Sequence, residues 1–159
     1  MLDSRGAILD VARRVSDVLR RSQIDGAVIG GVAVTLHGHV RTTVDVDVFA
    51  PAPTAALADA LRADGMEYDR RHRQFVCEGV PVQLVTEEII TSAPTQLIDI
   101  DDIRTVGLAD LINMKLRSGS TQMLRAQDLA DVIGLIRQRK LHGDFAACRT
   151  AEHPVRHAI

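Results

Sequence analysis

Tryptophan is absent from this 159-residue sequence, and Phe49, Phe75, Phe145 and Tyr68 are its only aromatic side chains, 3% of the chain. So few ring faces argue against a stacking platform for single-stranded nucleic acid, where aromatic side chains supply most base contacts. Cysteine is scarce too: Cys77 and Cys148 are too few and too separated for a disulfide framework or a zinc site. A thiol-reducing, cytoplasmic location is therefore the expectation. The opening MLDSRGAILD carries acid and base and has no apolar stretch of the signal-peptide kind. The longest apolar run, residues 27–36, is about half a membrane span and holds two glycines, so no membrane partner is expected. Nor does charge of one sign dominate. Nineteen Lys and Arg face twenty-one Asp and Glu, a formal charge of −2 that gives little whole-molecule attraction for a polyanion and leaves only local patches.

What remains is an ordinary soluble composition, 46% apolar and 25% charged. The length fits one domain over 1–159, at roughly 150 residues per domain, with residues 150–159 as a loosely held tail. Apolar residues at helical spacing predict an amphipathic helix over 4–21, capped by Asp3 or Ser4. A short strand buried on both faces follows at 27–29, then Gly30-Gly31 and a short helix over 32–36. Residues 43–49 alternate, with Val44, Val46 and Val48 on one face and Thr43, Asp45 and Asp47 on the other. A helix over 54–63 comes next, stopped at Gly65, and then strands over 67–78 and 80–85 that turn at Gly79. Pro81 suits the second of these to an edge. Residues 86–103 show no clear period, and helices over 108–117 and 123–139 complete the order. In the second of these, Leu129, Val132, Ile133 and Ile136 form the expected packed face. The fold class is α/β (α+β): a small mixed sheet flanked by helices, with helices at the C-terminal end.

Two aspartates on one strand face are unfavourable unless something compensates them. A divalent cation would, because hard ions take carboxylate oxygens, and Mg2+ characteristically uses one or two carboxylates with phosphate oxygens. A polar strand face meeting solvent would equally account for Asp45 and Asp47 taken alone. The upstream context favours the cation. Gly30-Gly31 follows a buried strand and opens a helix, so free backbone N–H groups suit a phosphate there. Arg41 and Thr43, just before the pair, add a guanidinium and a hydroxyl.

The segment GGVAVTLHGHVRTTVDVDVFA resembles the nucleotidyltransferase superfamily related to the polymerase beta fold. It is most similar to the small bacterial members, abortive-infection-type toxins and, more distantly, aminoglycoside nucleotidyltransferases. The resemblance spans about 24–137. It implies that Asp45 and Asp47 hold Mg2+ (or Mn2+) bridging a nucleoside triphosphate, whose phosphates rest on Gly30 and Gly31. The acceptor hydroxyl would belong to RNA, a protein or a small molecule, and a toxin would bring an antitoxin partner. The segment LADLINMKLRSGSTQMLRAQDLADVIGLI resembles the C-terminal helices of these transferases and implies that Lys115 reaches toward nucleotide phosphate. By spacing alone, Lys115 shares a stripe with Leu108, Leu111 and Ile112, so its stem lies on apolar neighbours or its ammonium meets an anion.

The sequence departs from the family pattern at two positions. The third carboxylate of the family aligns with Gln83 in GVPVQLVTEE, and an amide cannot accept a proton as a carboxylate does. Glu87 or Glu78 are the candidate substitutes; without one, a catalytically degenerate binding module is the alternative function. Gly31 stands where many relatives carry serine, which removes a hydroxyl that contacts phosphate. Among the remaining candidates, Asp128 and Asp131 read as structural or supporting groups, with Arg125 three residues before Asp128 or Lys115 as partners. Asp99 and Asp101 read as a solvated connector, and His37 as a structural histidine. Arg70-Arg71-His72-Arg73 reads as a solvated turn, with phosphate contact as its functional alternative.

Overall fold

The computed structural model describes residues 4–117 and 122–141, with side chains from 126 onward in the second segment. Helix α1 (Ser4–Arg21) buries Ile8, Val11, Ala12, Val15, Val18 and Leu19 along one stripe, the 3.6-residue period of an amphipathic helix. Strand β1 (Ala27–Ile29) is buried throughout and runs straight into α2 (Gly30–Leu36), two residues earlier than the sequence suggested. Strand β2 spans only Val46–Phe49. The expected start at residue 43 is a correction: Val44 is 71% exposed, so the alternation there reflects an exposed loop rather than a pleat. Helix α3 (Thr54–Ala63) follows the two prolines and buries Leu57 and Leu61.

The expected strand over 67–78 is two, β3 (Glu67–Asp69) and β4 (Gln74–Cys77), joined by the arginine-rich turn. Strand β5 (Val80–Val85) is interior rather than an edge. Pro81 is tolerated because the ladder to β2 begins only at Val82. The aperiodic stretch holds α4 (Glu87–Ile90) and β6 (Leu97–Ile100), and β7 (Ile103–Val106) begins at its last residue. Helices α5 (Leu108–Arg117) and α6 (Gln122–Arg139) close the described fold.

The seven strands are ordered β3-β4-β5-β2-β1-β7-β6. The pairs β1·β7 and β2·β5 are parallel and the others antiparallel, so the sheet is mixed. Helices α1 and α3 cover one face over Val28, Val46, Val48, Val82 and Phe75. On the other face α5 and α6 bury Leu111, Ile112, Val132 and Leu135 against Ala27, Ile29, Phe49 and Val106. That second face holds Asp47, because it lies directly across from Ile29.

Helix α6 corrects another expectation. Its packed face carries Asp131, Val132 and Leu135, while Leu129, Ile133 and Ile136 are exposed. A buried carboxylate rotates the helix away from the stripe that hydrophobicity alone selects, for a reason that lies in the cleft. Among the described residues no helix is long and apolar enough to cross a membrane. The expected cap Asp3, Ser118-Gly119-Ser120, the Arg125 side chain, Cys148 and the tail lie outside the described residues.

Candidate functional site

The site starts from a steric requirement at the end of β1. Gly30 has φ +67°, a backbone region that side chains disfavour, and a Cβ there would collide with the Asp47 carboxylate. At Gly31 a Cβ would sit 2.7 Å from Thr43 Oγ1 and 3.0 Å from Arg41 Nη2. The two glycines thus admit Asp47, Thr43 and Arg41 against the turn. The hydroxyl lost by having glycine at position 31 is replaced in space by that of Thr43. Thr43 Oγ1 also donates to the Asp45 carbonyl at 3.3 Å, which fixes the loop carrying Asp45.

These groups form one end of a cleft of about 440 Å³, within the roughly 300–1,000 Å³ of small-molecule sites. Gly30, Gly31, Arg41, Thr43, Asp45, Asp47, Gln83 and Lys115, all expected from the sequence, line it together. Its opposite wall is apolar, from Val85 of β5, Ile89 and Ile90 of α4, and Leu111 and Met114 of α5. The α4 side chains were not foreseen, since the stretch 86–103 carries no period from which to read them.

Charge in the cleft is unevenly settled. Burial, and then the Asp45 charge, push the Asp47 carboxyl up to about 7, although Lys115 and Arg41 pull it down. The two cations have strong partners of their own. Arg41 Nε lies 2.7 Å from Asp131 Oδ1, and its Nη2 donates to Asp131 Oδ2 at 3.1 Å. Lys115 Nζ lies 2.9 Å from Asp131 Oδ2 and donates to Asp128 Oδ1 at 2.8 Å. Gln127 donates to Asp131 Oδ1 at 3.0 Å. Asp131 is fully buried. Burial pushes its carboxyl up, but Lys115 and then Arg41 outweigh that and hold it below the usual carboxylate range. The sequence reading placed Asp131 in a supporting role without identifying Arg41 as its partner. An acid beside Val132 and Leu135 on a helix's packed face is the signal that marks such a group.

Gln83 lies directly across from Asp47 on parallel β5. It is exposed, and its amide donates to Gln74 Oε1 at 3.2 Å. Neither proposed substitute reaches the cleft. Glu78 lies in the turn after β4, 3.8 Å from Arg14 of α1. Glu87 lines a separate depression with Ala50 and Thr54. Among the described residues no group of three or more His, Cys, Asp or Glu is arranged to hold a metal ion. Asp45 and Asp47 both line the cleft, and their carboxylate oxygens are hard donors of the kind that fit Mg2+ or Mn2+.

The other candidates lie apart. His37 is buried with its Nε2–H donating to the Val106 carbonyl at 2.9 Å, and burial pushes its pKa down, so the ring is a neutral structural group. The turn of Arg70, Arg71, His72 and Arg73 is exposed outside the cleft, and Asp69 accepts from the Arg71 and His72 backbone N–H groups. Asp99 is on strand β6 rather than in a connector and accepts from Arg20 at 2.8 Å, while Asp101 and Asp102 form the turn into β7.

No protein-family model matches the chain, and no curated protein matches it. Among solved structures, an antigenic nucleotidyltransferase-like protein from Paracoccidioides brasiliensis matches with a TM-score of 0.54 and 18% identity. The match covers 80% of this chain and 74% of that one. The fold is therefore the mixed-sheet, nucleotidyltransferase-like one that the glycine pair and paired aspartates suggested.

Proposed function

We propose that the protein transfers a nucleoside monophosphate from a nucleoside triphosphate to an acceptor hydroxyl. The observation that carries this reading is the Asp47 carboxylate packed on Gly30 beside Gly31, Thr43 and Arg41, in a cleft that Lys115 also lines. The family resemblance assigns this turn to the triphosphate, and a side chain added at Gly30 would collide with the Asp47 carboxylate.

Asp45 and Asp47 would hold Mg2+ (or Mn2+), which when bound supplies positive charge against the phosphate oxygens. The chain's own residues do the rest. The Gly30-Gly31 turn and the Thr43 hydroxyl receive phosphate oxygens, Lys115 and Arg41 offset their charge, and the apolar wall holds the nucleoside and excludes water. The acceptor hydroxyl oxygen forms a bond to the α-phosphorus as the bond to the bridging oxygen of the β-phosphate breaks. Pyrophosphate leaves and the hydroxyl proton passes to water. The resemblance to abortive-infection toxins adds the proposal of an RNA, protein or small-molecule acceptor, an antitoxin partner and a cytoplasmic setting.

Gln83 supports a second reading. With an amide across from Asp47 and neither Glu78 nor Glu87 lining the cleft, the position that the family resemblance assigns to the third carboxylate holds no proton acceptor of that kind among the described residues. The protein would then bind nucleotide without turnover. Calorimetry with each Mg2+-triphosphate tests both readings. Binding in the submillimolar to millimolar range is expected, and loss of it in the D45N/D47N double variant; equal affinity in that variant removes the metal-site argument. Transfer of label from triphosphate to cellular RNA or protein, dependent on Asp47, selects the enzyme. Transfer seen only in Q83D selects the binding module.

A further inference from the structure

Resting on the reading of the cleft as a triphosphate site, we infer that the two carboxylates sharing Lys115 act in opposite directions: Asp131 aims the cations at the cleft, and Asp128 competes with phosphate for one of them. Both lie within 3 Å of Lys115 Nζ, yet their settings differ. Asp128 lines the cleft, so an incoming phosphate oxygen approaches the ammonium from the side that Asp128 holds. Asp131 is fully buried and does not line the cleft. No ligand in the cleft can displace it. It also holds Arg41, whose Nη2 donates to Asp131 Oδ2 while its Nε lies 2.7 Å from Oδ1 with no hydrogen bond of its own, and that guanidinium lies against Gly31 beside Thr43. One buried acid thereby fixes a cation from the loop before β2 and a cation from α5. The half-buried acid that lines the cleft is a stand-in for the anion the cleft is built to take.

Charge counting alone predicts something else. Asp45, Asp47, Asp128 and Asp131 outnumber Arg41 and Lys115, so removing either helix acid would relieve repulsion toward a polyanion, and both asparagine variants would bind more tightly. The positioning role predicts opposite signs. Calorimetry of the full chain with MgATP, MgGTP, MgCTP and MgUTP separates the two. With the triphosphate that wild type binds best, D128N is expected to tighten binding about fivefold, the size of one ion pair released for phosphate. D131N is expected to weaken it by about tenfold or more, since the cations lose their buried anchor.

R41K supplies an independent arm that keeps the positive charge but loses the planar guanidinium and its Nη2 hydrogen bond to Asp131, and it too is expected to weaken binding several-fold. This variant decides the matter if D131N does not fold. Shifts of D128N and D131N in the same direction, an unchanged D128N, or an unchanged R41K each overturn the inference while leaving the triphosphate site standing. Absence of binding by wild type to all four triphosphates overturns the reading of the cleft, and the inference with it.

Discussion

Asp64 and Asp131 are built alike and used differently. Each is an acid clamped between two cations from distant parts of the chain. Asp64 accepts from Arg14 and Arg21 of α1, both at 2.8 Å, and staples the end of α3 to that helix. Asp131 takes Arg41 and Lys115 at 2.7 and 2.9 Å and ties α6 to α5 and to the loop before β2. Burial pushes both carboxyls up, and in both the hydrogen-bonded cations outweigh it and hold the group below the usual range. The difference is what surrounds the clamp. The Asp64 side chain is 17% exposed and its arginines meet water, whereas Asp131 is at 0% and its cations face a cleft lined by three further acids, Asp45, Asp47 and Asp128. A clamp whose cations face solvent is a staple. One whose cations face a cavity is a site.

The largest expected effect follows directly. Asp131→Ala leaves two poorly solvated cations without their anchor and is expected to cost about 3–5 kcal/mol. Asp64→Ala, between solvated arginines, is expected to cost about 1 kcal/mol. Urea denaturation of both variants measures the contrast, and equal losses would break it.

Acid titration extends the comparison to Asp47, whose shift has the other sign. Asp64 and Asp131 are depressed, so their stabilisation is present above the ordinary carboxylate value and is lost as pH falls through their folded pKa values. Asp47 is raised from 3.8 to about 7, so its contribution is fully present below 3.8 and lost as pH rises through about 7. Asp47→Asn should therefore be more stable than wild type at pH 8.5 in EDTA, and the gap should shrink toward pH 4. Denaturation midpoints at the two pH values check this. Addition of Mg2+ should narrow the gap at pH 8.5 if the carboxylates bind it, because only wild type gains.

A smaller effect is expected at the glycine turn. Gly31→Ser puts a side chain into the space of Thr43 Oγ1 and should cost about 1–3 kcal/mol by overpacking. Adding Thr43→Ala should recover only part of that loss, because it removes Oγ1 but leaves the Thr43 Cβ position 2.9 Å from the new side chain. A double variant no more stable than Gly31→Ser alone would show that the two positions do not share one hydroxyl site.

Much of this was legible before any coordinates, because local chemistry governs it. Gly30-Gly31 between a buried strand and a helix is a signal that tertiary packing leaves in place. Gln83 was matched to the third carboxylate by family resemblance alone, and the parallel β2·β5 pairing that sets it across from Asp47 carries no local mark in the sequence. The stretch 86–103 was not legible either. Strands β6 and β7 are two four-residue segments, and β6 is a half-exposed edge, so neither shows a sustained period. Strand β2 was read too long because Val44 continues the alternation into a loop where no partner strand pairs with it. Asp131 shows a different kind of illegibility. Its value depends on Arg41, which sits 90 positions away and carries no mark of the pairing.

The smallest expected effect lies on α6, where hydrophobicity and packing disagree. Leu129, Ile133 and Ile136 form a helical stripe that sequence reading assigns to the core, but Ile133 is 51% exposed while Leu135 is fully buried. The helix turns Asp131, Val132 and Leu135 inward because a buried acid with two cationic partners leaves only one rotation open to it. Ile133→Ser should therefore change stability by no more than about 0.5 kcal/mol. Leu135→Ala, which opens a cavity, should cost about 2–5 kcal/mol. Reversed magnitudes in the same denaturation experiment would return the apolar stripe to the core. The Asp131 clamp would then be removed from the cleft, because one rotation of α6 cannot bury both faces.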